Sequence, residues 1–145
     1  ANFWIGENSN VQMGAGVNFG PGVNVIVKEN GILQIGTDSY FTSDMHIEVV
    51  NKILVGKNCA VSWGVTIIDD DHHQIIKSGN VNDQKNETTI GNHVWIGCHA
   101  VILKNTVIGD NCIVAAGSIV SGVFPPNSLI AGNPAKIVKQ NIDWQ

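Results

Sequence analysis

Between residues 69 and 75 the chain reads Asp69-Asp70-Asp71-His72-His73-Gln74-Ile75. Two imidazoles beside three carboxylates supply the groups of general-base catalysis. An imidazole accepts a hydroxyl proton near neutral pH, and a carboxylate or carbonyl on its other nitrogen fixes the tautomer. A metal site or a glycosidase pair would also use carboxylates, but neighbours on extended backbone point to alternate sides and converge poorly on one ion. The expectation is that one carboxylate supports an imidazole while the others face solvent; a plain solvated loop is the competing reading. His46 lies in a regular stretch and reads as structural or, at most, acceptor-lining. His93 and His99, six apart, read as surface or interface residues. Cys59, Cys98 and Cys112 carry no signature of an activated thiolate and read as packing residues.

These side chains need a frame, and the frame is written as a repeat. Aliphatic residues recur six apart at Ile90, Ile96, Ile102, Ile108, Val114 and Val120. An earlier series runs Ile5, Val11, Val17, Val23, resumes at Ile35, Phe41, Ile47, Ile53, then slips by two to Val55, Val61, Ile67. Four positions after many anchors the residue is small or β-branched, as at Ser39, Cys59, Ala100, Thr106, Cys112 and Ser118. The chain holds 37 Val plus Ile against four Leu, with 17 Asn and 16 Gly. β-Branched side chains favour extended backbone, and Asn and Gly tolerate the left-handed corners that short strands need. One inward aliphatic and one small residue per six suits a short strand plus a bend. Three such units carry the chain once around a triangular prism, a known repeat class. The expected fold is therefore all-β, a single domain over residues 1–145. Its one interruption is a polar excursion loop at about 72–87, and such excursions often carry function.

Composition closes other doors. All eight basic residues are lysines, arginine is absent and the formal charge is −4, so a nucleic-acid interface is not expected. The apolar runs are too short for a transmembrane segment. The first residues, Ala1 to Gly6, show no charged lead or apolar signal core and no initiator Met, which reads as a processed or trimmed chain. Three cysteines do not make a disulfide framework, and the default compartment is the cytoplasm.

The pattern of aliphatic, Gly, two variable residues, small, variable resembles the hexapeptide-repeat acyltransferases. The resemblance covers nearly the whole chain. It is strongest from Ile67 to Lys139, which is similar to the sugar O-acetyltransferases of polysaccharide and capsule biosynthesis. It implies a left-handed parallel β-helix, against the usual crossover hand, with a short helical turn or cap after Gly132-Asn133-Pro134. Asp69, Asp71, His73 and Ile75 match the spacing of that family's catalytic segment. This points to His73 as the base, with Asp71 in support and His72 the fallback or an acceptor contact. Trp95, in Val94-Trp95-Ile96-Gly97, is implied to lie beside the reacting thioester, where its N–H donates to an oxyanion or its ring walls the site.

Val114-Ala115-Ala116-Gly117-Ser118 and Ala131 to Lys136 resemble the family's acyl-CoA segments. A slender pantetheine arm against backbone amides requires small side chains, hence Gly97, Ala115, Ala116 and Ser118 as contacts. Lys136 and Lys139 would meet the CoA phosphates as point charges. Tyr40 and Trp63 are candidates for the acceptor side. The resemblance further implies acetyl-CoA as co-substrate, a carbohydrate acceptor, and a homotrimer with sites between subunits. The expected activity is O-acetylation of a sugar hydroxyl in polysaccharide, capsule or lipopolysaccharide biosynthesis. N-acetylation of an amino sugar, or a non-catalytic trimeric scaffold, are the alternatives. A zinc lyase of the carbonic-anhydrase type would need three convergent imidazoles, and the close histidine pair of that family is not reproduced, so no metal is expected.

Overall fold

The computed structural model describes residues 1–81 and 84–145. Every regular element among them is a β-strand; apart from an antiparallel hairpin within the excursion, Ile76–Lys77 with Asn80–Val81, the chain visits three walls of parallel rungs in rotation. The first wall stacks Asn2–Ile5, Asn24–Val27, His46–Val49, Thr66–Ile68, Val101–Ile102 and Ile119–Val120. The second stacks Asn10–Met13, Ile32–Ile35, Lys52–Val55, Glu87–Ile90, Val107–Ile108 and Val123–Phe124. The third stacks Asn18–Phe19, Tyr40–Phe41, Ala60–Val61, Trp95–Ile96, Ile113–Val114 and Ser128–Gly132, with Ala135–Gln140 added at its end. Each backbone N–H that leaves a wall bonds to the rung below, as Gly6 does to Val27 at 2.7 Å and Gly36 to Val55 at 2.9 Å.

The period of six holds for the later turns and is too short for the first ones. On the third wall Asn18 pairs with Tyr40 and Tyr40 with Ala60, steps of 22 and 20 residues. Past the excursion Trp95 pairs with Ile113 and Ile113 with Leu129, steps of 18 and 16. The prism therefore tapers toward its C-terminal end. The early strands on the first two walls are four residues long and send two side chains inward, Val25 with Val27 and Ile53 with Val55, all nearly or fully buried. That doubled anchor is the physical origin of the two-residue slip. Ile5, the first anchor of the series, is 48 % exposed.

The interior is one continuous column of buried aliphatics from Val23 to Ile130. At the wide end Phe3 meets Phe19 edge-on at 5.3 Å and Phe19 stacks on Phe41 at 4.9 Å. The small-residue slot is filled by groups that also cap corners: the Ser39 hydroxyl donates to the Gly56 carbonyl at 2.7 Å, and that of Thr106 to Leu103 at 2.6 Å. Among the described residues no buried side-chain polar atom lacks a partner. Corners use left-handed backbone at Asn30, Asn58, Asn105, Asn111 and Asn127, and His93 and His99 take two of the same slots.

Of the two expected endings, a helical turn or a cap, the prism takes the cap, built as a strand. Ser128–Gly132 and Ala135–Gln140 pair antiparallel around a cis Asn133–Pro134 bond. The β-branched pair Ile137-Val138 suits a strand, and the returning strand covers the last open edge of the third wall, whose backbone groups would otherwise be unpaired. No helix among the described residues is long and apolar enough to cross a membrane.

Candidate active site

The excursion leaves the first wall after Ile68 and rejoins the second at Glu87. Part of the expected loop, residues 82 and 83, lies outside the described residues. Its departure is pinned by Asp69, which is fully buried and accepts backbone N–H groups of Val50, Asn51 and Lys52 at 2.8, 2.7 and 2.6 Å. This corrects the expectation that the spare carboxylates face solvent: Asp69 sits beneath the corner between the two walls and ties the loop to the preceding turn. Burial pushes its carboxyl above the usual carboxylate range, with the three N–H donors pulling partly the other way. Asp70 then accepts the His72 N–H at 2.8 Å and an Asn86 amide hydrogen at 3.3 Å. This closes a tight turn in which His72 has φ of 61°.

The two histidines at the apex end in different circumstances. His72 Nε2 lies 2.9 Å from Glu48 Oε1, and His46 Nε2 lies 3.1 Å from Glu48 Oε2. A carboxylate can only accept here, so both imidazoles donate and His72 Nε2 is engaged. Lys28 Nζ, 4.0 Å from Glu48, completes this cluster on the first wall. Both apex histidines are exposed, but His73 lines a cavity of about 220 Å³ with Asp70, Asn86 and Lys104. Its Nδ1 faces the Asp71 carbonyl at 3.4 Å, a long hydrogen bond that makes Nδ1 the donor and leaves Nε2 as the basic nitrogen. The support thus comes from the backbone of Asp71. The Asp71 carboxylate instead pairs with Lys104 Nζ at 2.7 Å.

A second feature lies on the third wall. One outward column runs Tyr40, Ala60, Trp95, Ile113, Leu129 and Lys139, each paired with the next across the ladder. Beside it opens an apolar groove of about 520 Å³ lined by Trp63, Trp95, Gly97, Cys98, Ala115 and Ala116, with Ser62, Ile113, Val114 and Leu129. Gly97 is obligatory there, because a Cβ on it would stand 2.6 Å from Ala116 N and 2.9 Å from Val114 O. Lys139 ends the column, and Lys136 lies exposed on the same strand. Ser118 does not join them: it is buried, and its hydroxyl accepts the Gly132 N–H at 3.2 Å to seat the terminal hairpin. Tyr40 is in the column, two rungs from Trp95, and His72, paired with Glu48, belongs to the other feature.

The expected residues therefore separate into two groups on different walls, with no lining residue in common. Glu48 and Lys104 were missed, although His46-x-Glu48 on a period-two strand places both on one face. His93 is not simply a surface residue, since Trp144 of the same chain stacks on it. Cys98 lines the groove, whereas Cys59 and Cys112 are buried packing residues whose thiols burial pushes up. Among the described residues no group of three or more His, Cys, Asp or Glu side chains could hold a metal ion.

Residues 87–122 match the family described as bacterial transferase hexapeptide (six repeats). Over 121 residues the chain is 34 % identical to the Lysinibacillus sphaericus protein named "Probable macrolide acetyltransferase", covering 70 % of this chain and 67 % of that one. The chain belongs to the hexapeptide-repeat acyltransferases. It is also 31 % identical over 139 residues to the galactoside O-acetyltransferase of Escherichia coli K12, covering 94 % of this chain but only 63 % of that relative's length. The structure of a galactoside acetyltransferase in complex with coenzyme A superposes with a TM-score of 0.66 at 30 % identity, over 89 % of this chain and 64 % of that one. The polySia-specific acetyltransferase NeuO matches with a TM-score of 0.81 at 20 % identity, over 99 % and 89 % of the two chains, a likeness of fold. The coil is the left-handed one of this family.

Proposed function

We propose that this chain is an acetyl-CoA-dependent O-acetyltransferase acting on a sugar hydroxyl in polysaccharide, capsule or lipopolysaccharide biosynthesis, with His73 as general base. The observation that carries the proposal is the contrast between the two apex histidines: Glu48 engages His72 Nε2, while the Asp71 carbonyl turns His73 so that its Nε2 is the proton acceptor. The groove on the third wall has the apolar lining, with Gly97, Ala115 and Ala116 as its small members, that a pantetheine arm needs, and Lys139, paired with the lining residue Leu129, together with Lys136 on the same strand, supplies positive charge for phosphate. The named activity of the galactoside relative, a sugar O-acetyl transfer, supports the same chemistry.

The step is a direct transfer. The acceptor oxygen attacks the acetyl carbonyl while its proton passes to His73 Nε2, forming the C–O bond. The tetrahedral oxyanion, held by Trp95 N–H or a backbone N–H, collapses with loss of the C–S bond. The imidazolium returns the proton to the departing CoA thiolate. Because the loop cavity and the groove lie on different walls of one prism, a complete site requires the groove of a second copy against the loop of the first. The homotrimer belongs to this proposal.

The test is His73→Ala. Acetyl transfer from acetyl-CoA to a galactoside should fall by about 10²–10⁴, with the melting transition and CoA affinity retained. Unchanged turnover removes His73 from the mechanism.

A further inference from the structure

Beyond the terminal hairpin the chain folds back on the prism. Ile142 N–H donates to the Asn127 carbonyl at 3.1 Å, and the Asn127 amide donates to the Ile142 carbonyl at 3.2 Å, a two-way clasp. It delivers Trp144 to the imidazole of His93, with ring centroids 4.0 Å apart and planes 11° from parallel. Trp144 Nε1–H donates to the His93 carbonyl at 2.7 Å, and the Asp143 carboxylate lies 3.4 Å from His93 Nδ1. His93 is itself fixed, its N–H on the Lys57 carbonyl at 2.7 Å and its Nδ1 3.0 Å from Asn111 Oδ1. From this seat Trp144 meets Trp95, with centroids 6.1 Å apart and planes tilted by 50°. Trp95 lines the groove; Trp144 does not.

We infer that Trp144 is a positioning residue for the acyl-CoA groove, holding the Trp95 ring in the rotamer that walls the acyl end. The inference rests on the reading of that groove as the acetyl-CoA site. Trp95 is 42 % exposed on a two-residue strand, so its own turn leaves two side-chain torsions free to sample other wells. A tilted aromatic neighbour at this distance is an attractive arrangement, and the clasp at Asn127 fixes that neighbour independently of any ligand. The tail thus spends its order on a ring that the repeat alone does not hold.

The experiment is a double-mutant cycle on the full chain, read by calorimetric titration with acetyl-CoA. Trp144→Ala should weaken binding about three- to tenfold, the scale of one aromatic pair. It should have no further effect in a Trp95→Ala background, and Trp144→Phe should recover most of the affinity by keeping a ring on His93. The near-ultraviolet dichroism of the indole pair should vanish in Trp144→Ala. If Trp144→Ala does not melt cooperatively, Trp144→Leu takes its place in the cycle. Wild-type affinity in the single variant, or an equal loss with and without Trp95, overturns the inference and leaves the functional reading standing. Absence of any acetyl-CoA binding by the unaltered chain overturns both.

Discussion

His72 and His73 are adjacent and follow the same three aspartates in the sequence, yet their ring nitrogens are committed differently. Glu48 holds His72 Nε2 at 2.9 Å, so His72 serves to dock the loop on the first wall. Replacing His72 with Gln should slow acetyl transfer by no more than about tenfold, well short of the general-base range; a loss equal to that of His73→Ala would exchange their roles. Asp71→Asn, which keeps the carbonyl on His73 Nδ1 but removes the charge paired with Lys104, should likewise be mild in steady-state kinetics, since an exposed pair of this kind is worth at most about 1 kcal/mol. Burial pushes the Cys59 and Cys112 thiols up, so both stay protonated at neutral pH. Iodoacetamide should therefore modify Cys98 alone in the native chain, and acetyl-CoA should slow that reaction because Cys98 lines the groove. The histidine pair was legible as chemistry, and the match of Asp69, Asp71 and His73 to a family spacing was legible too. What each carboxylate does was not, because Asp69 finds its three partners 17 to 19 residues away in a corner that only the coiling of the prism brings near.

At the scale of elements, the excursion is anchored at its base by Asp69, with the His72–Glu48 and Asp71–Lys104 pairs holding its apex. Asp69→Ala would leave the Val50, Asn51 and Lys52 N–H groups without their acceptor in a buried corner, and should cost at least about 3 kcal/mol in chemical denaturation. A cost below about 1 kcal/mol would mean that water replaces the carboxylate. The raised carboxyl adds a pH dependence of known sign: a group held above its unfolded value stabilises the fold at low pH and loses that contribution as pH rises through the folded value. The stability advantage of the unaltered chain over Asp69→Asn should accordingly shrink as pH climbs from the ordinary aspartate range toward neutrality. Gly97→Ala should disturb the groove through backbone contact with Ala116 and weaken acetyl-CoA binding without touching the excursion. The strands themselves were readable from their six-residue spacing, most cleanly from Ile90 to Val120, where each rung contributes one inward residue per wall. The early rungs hid their length because Val25 with Val27, and Ile53 with Val55, put two inward residues on one strand, which mimics a phase slip. The terminal hairpin was legible only as a place where the repeat fails, and nothing in the local sequence announced that Trp144 would return to His93.

For the molecule as a whole, a tapering prism with closed walls has no interior to hold a substrate, so its chemistry must lie on the outside. The imidazole leaves at the corner between the first and second walls, and the apolar groove occupies the third. The proposed homotrimer sets the loop of one copy against the groove of the next, at three equivalent junctions. Mixing tests this directly. His73→Ala and Trp95→Ala chains, the second nearly inactive alone where Trp95 N–H is the oxyanion donor, are denatured together and refolded at equal amounts. If each site takes His73 from one subunit and Trp95 from its neighbour, random assembly should restore acetyl transfer to about a quarter of the unaltered level. Mixed chains that stay as inactive as the separate ones would place both residues in the same subunit's site, and the account of a catalytic junction between prisms would be wrong.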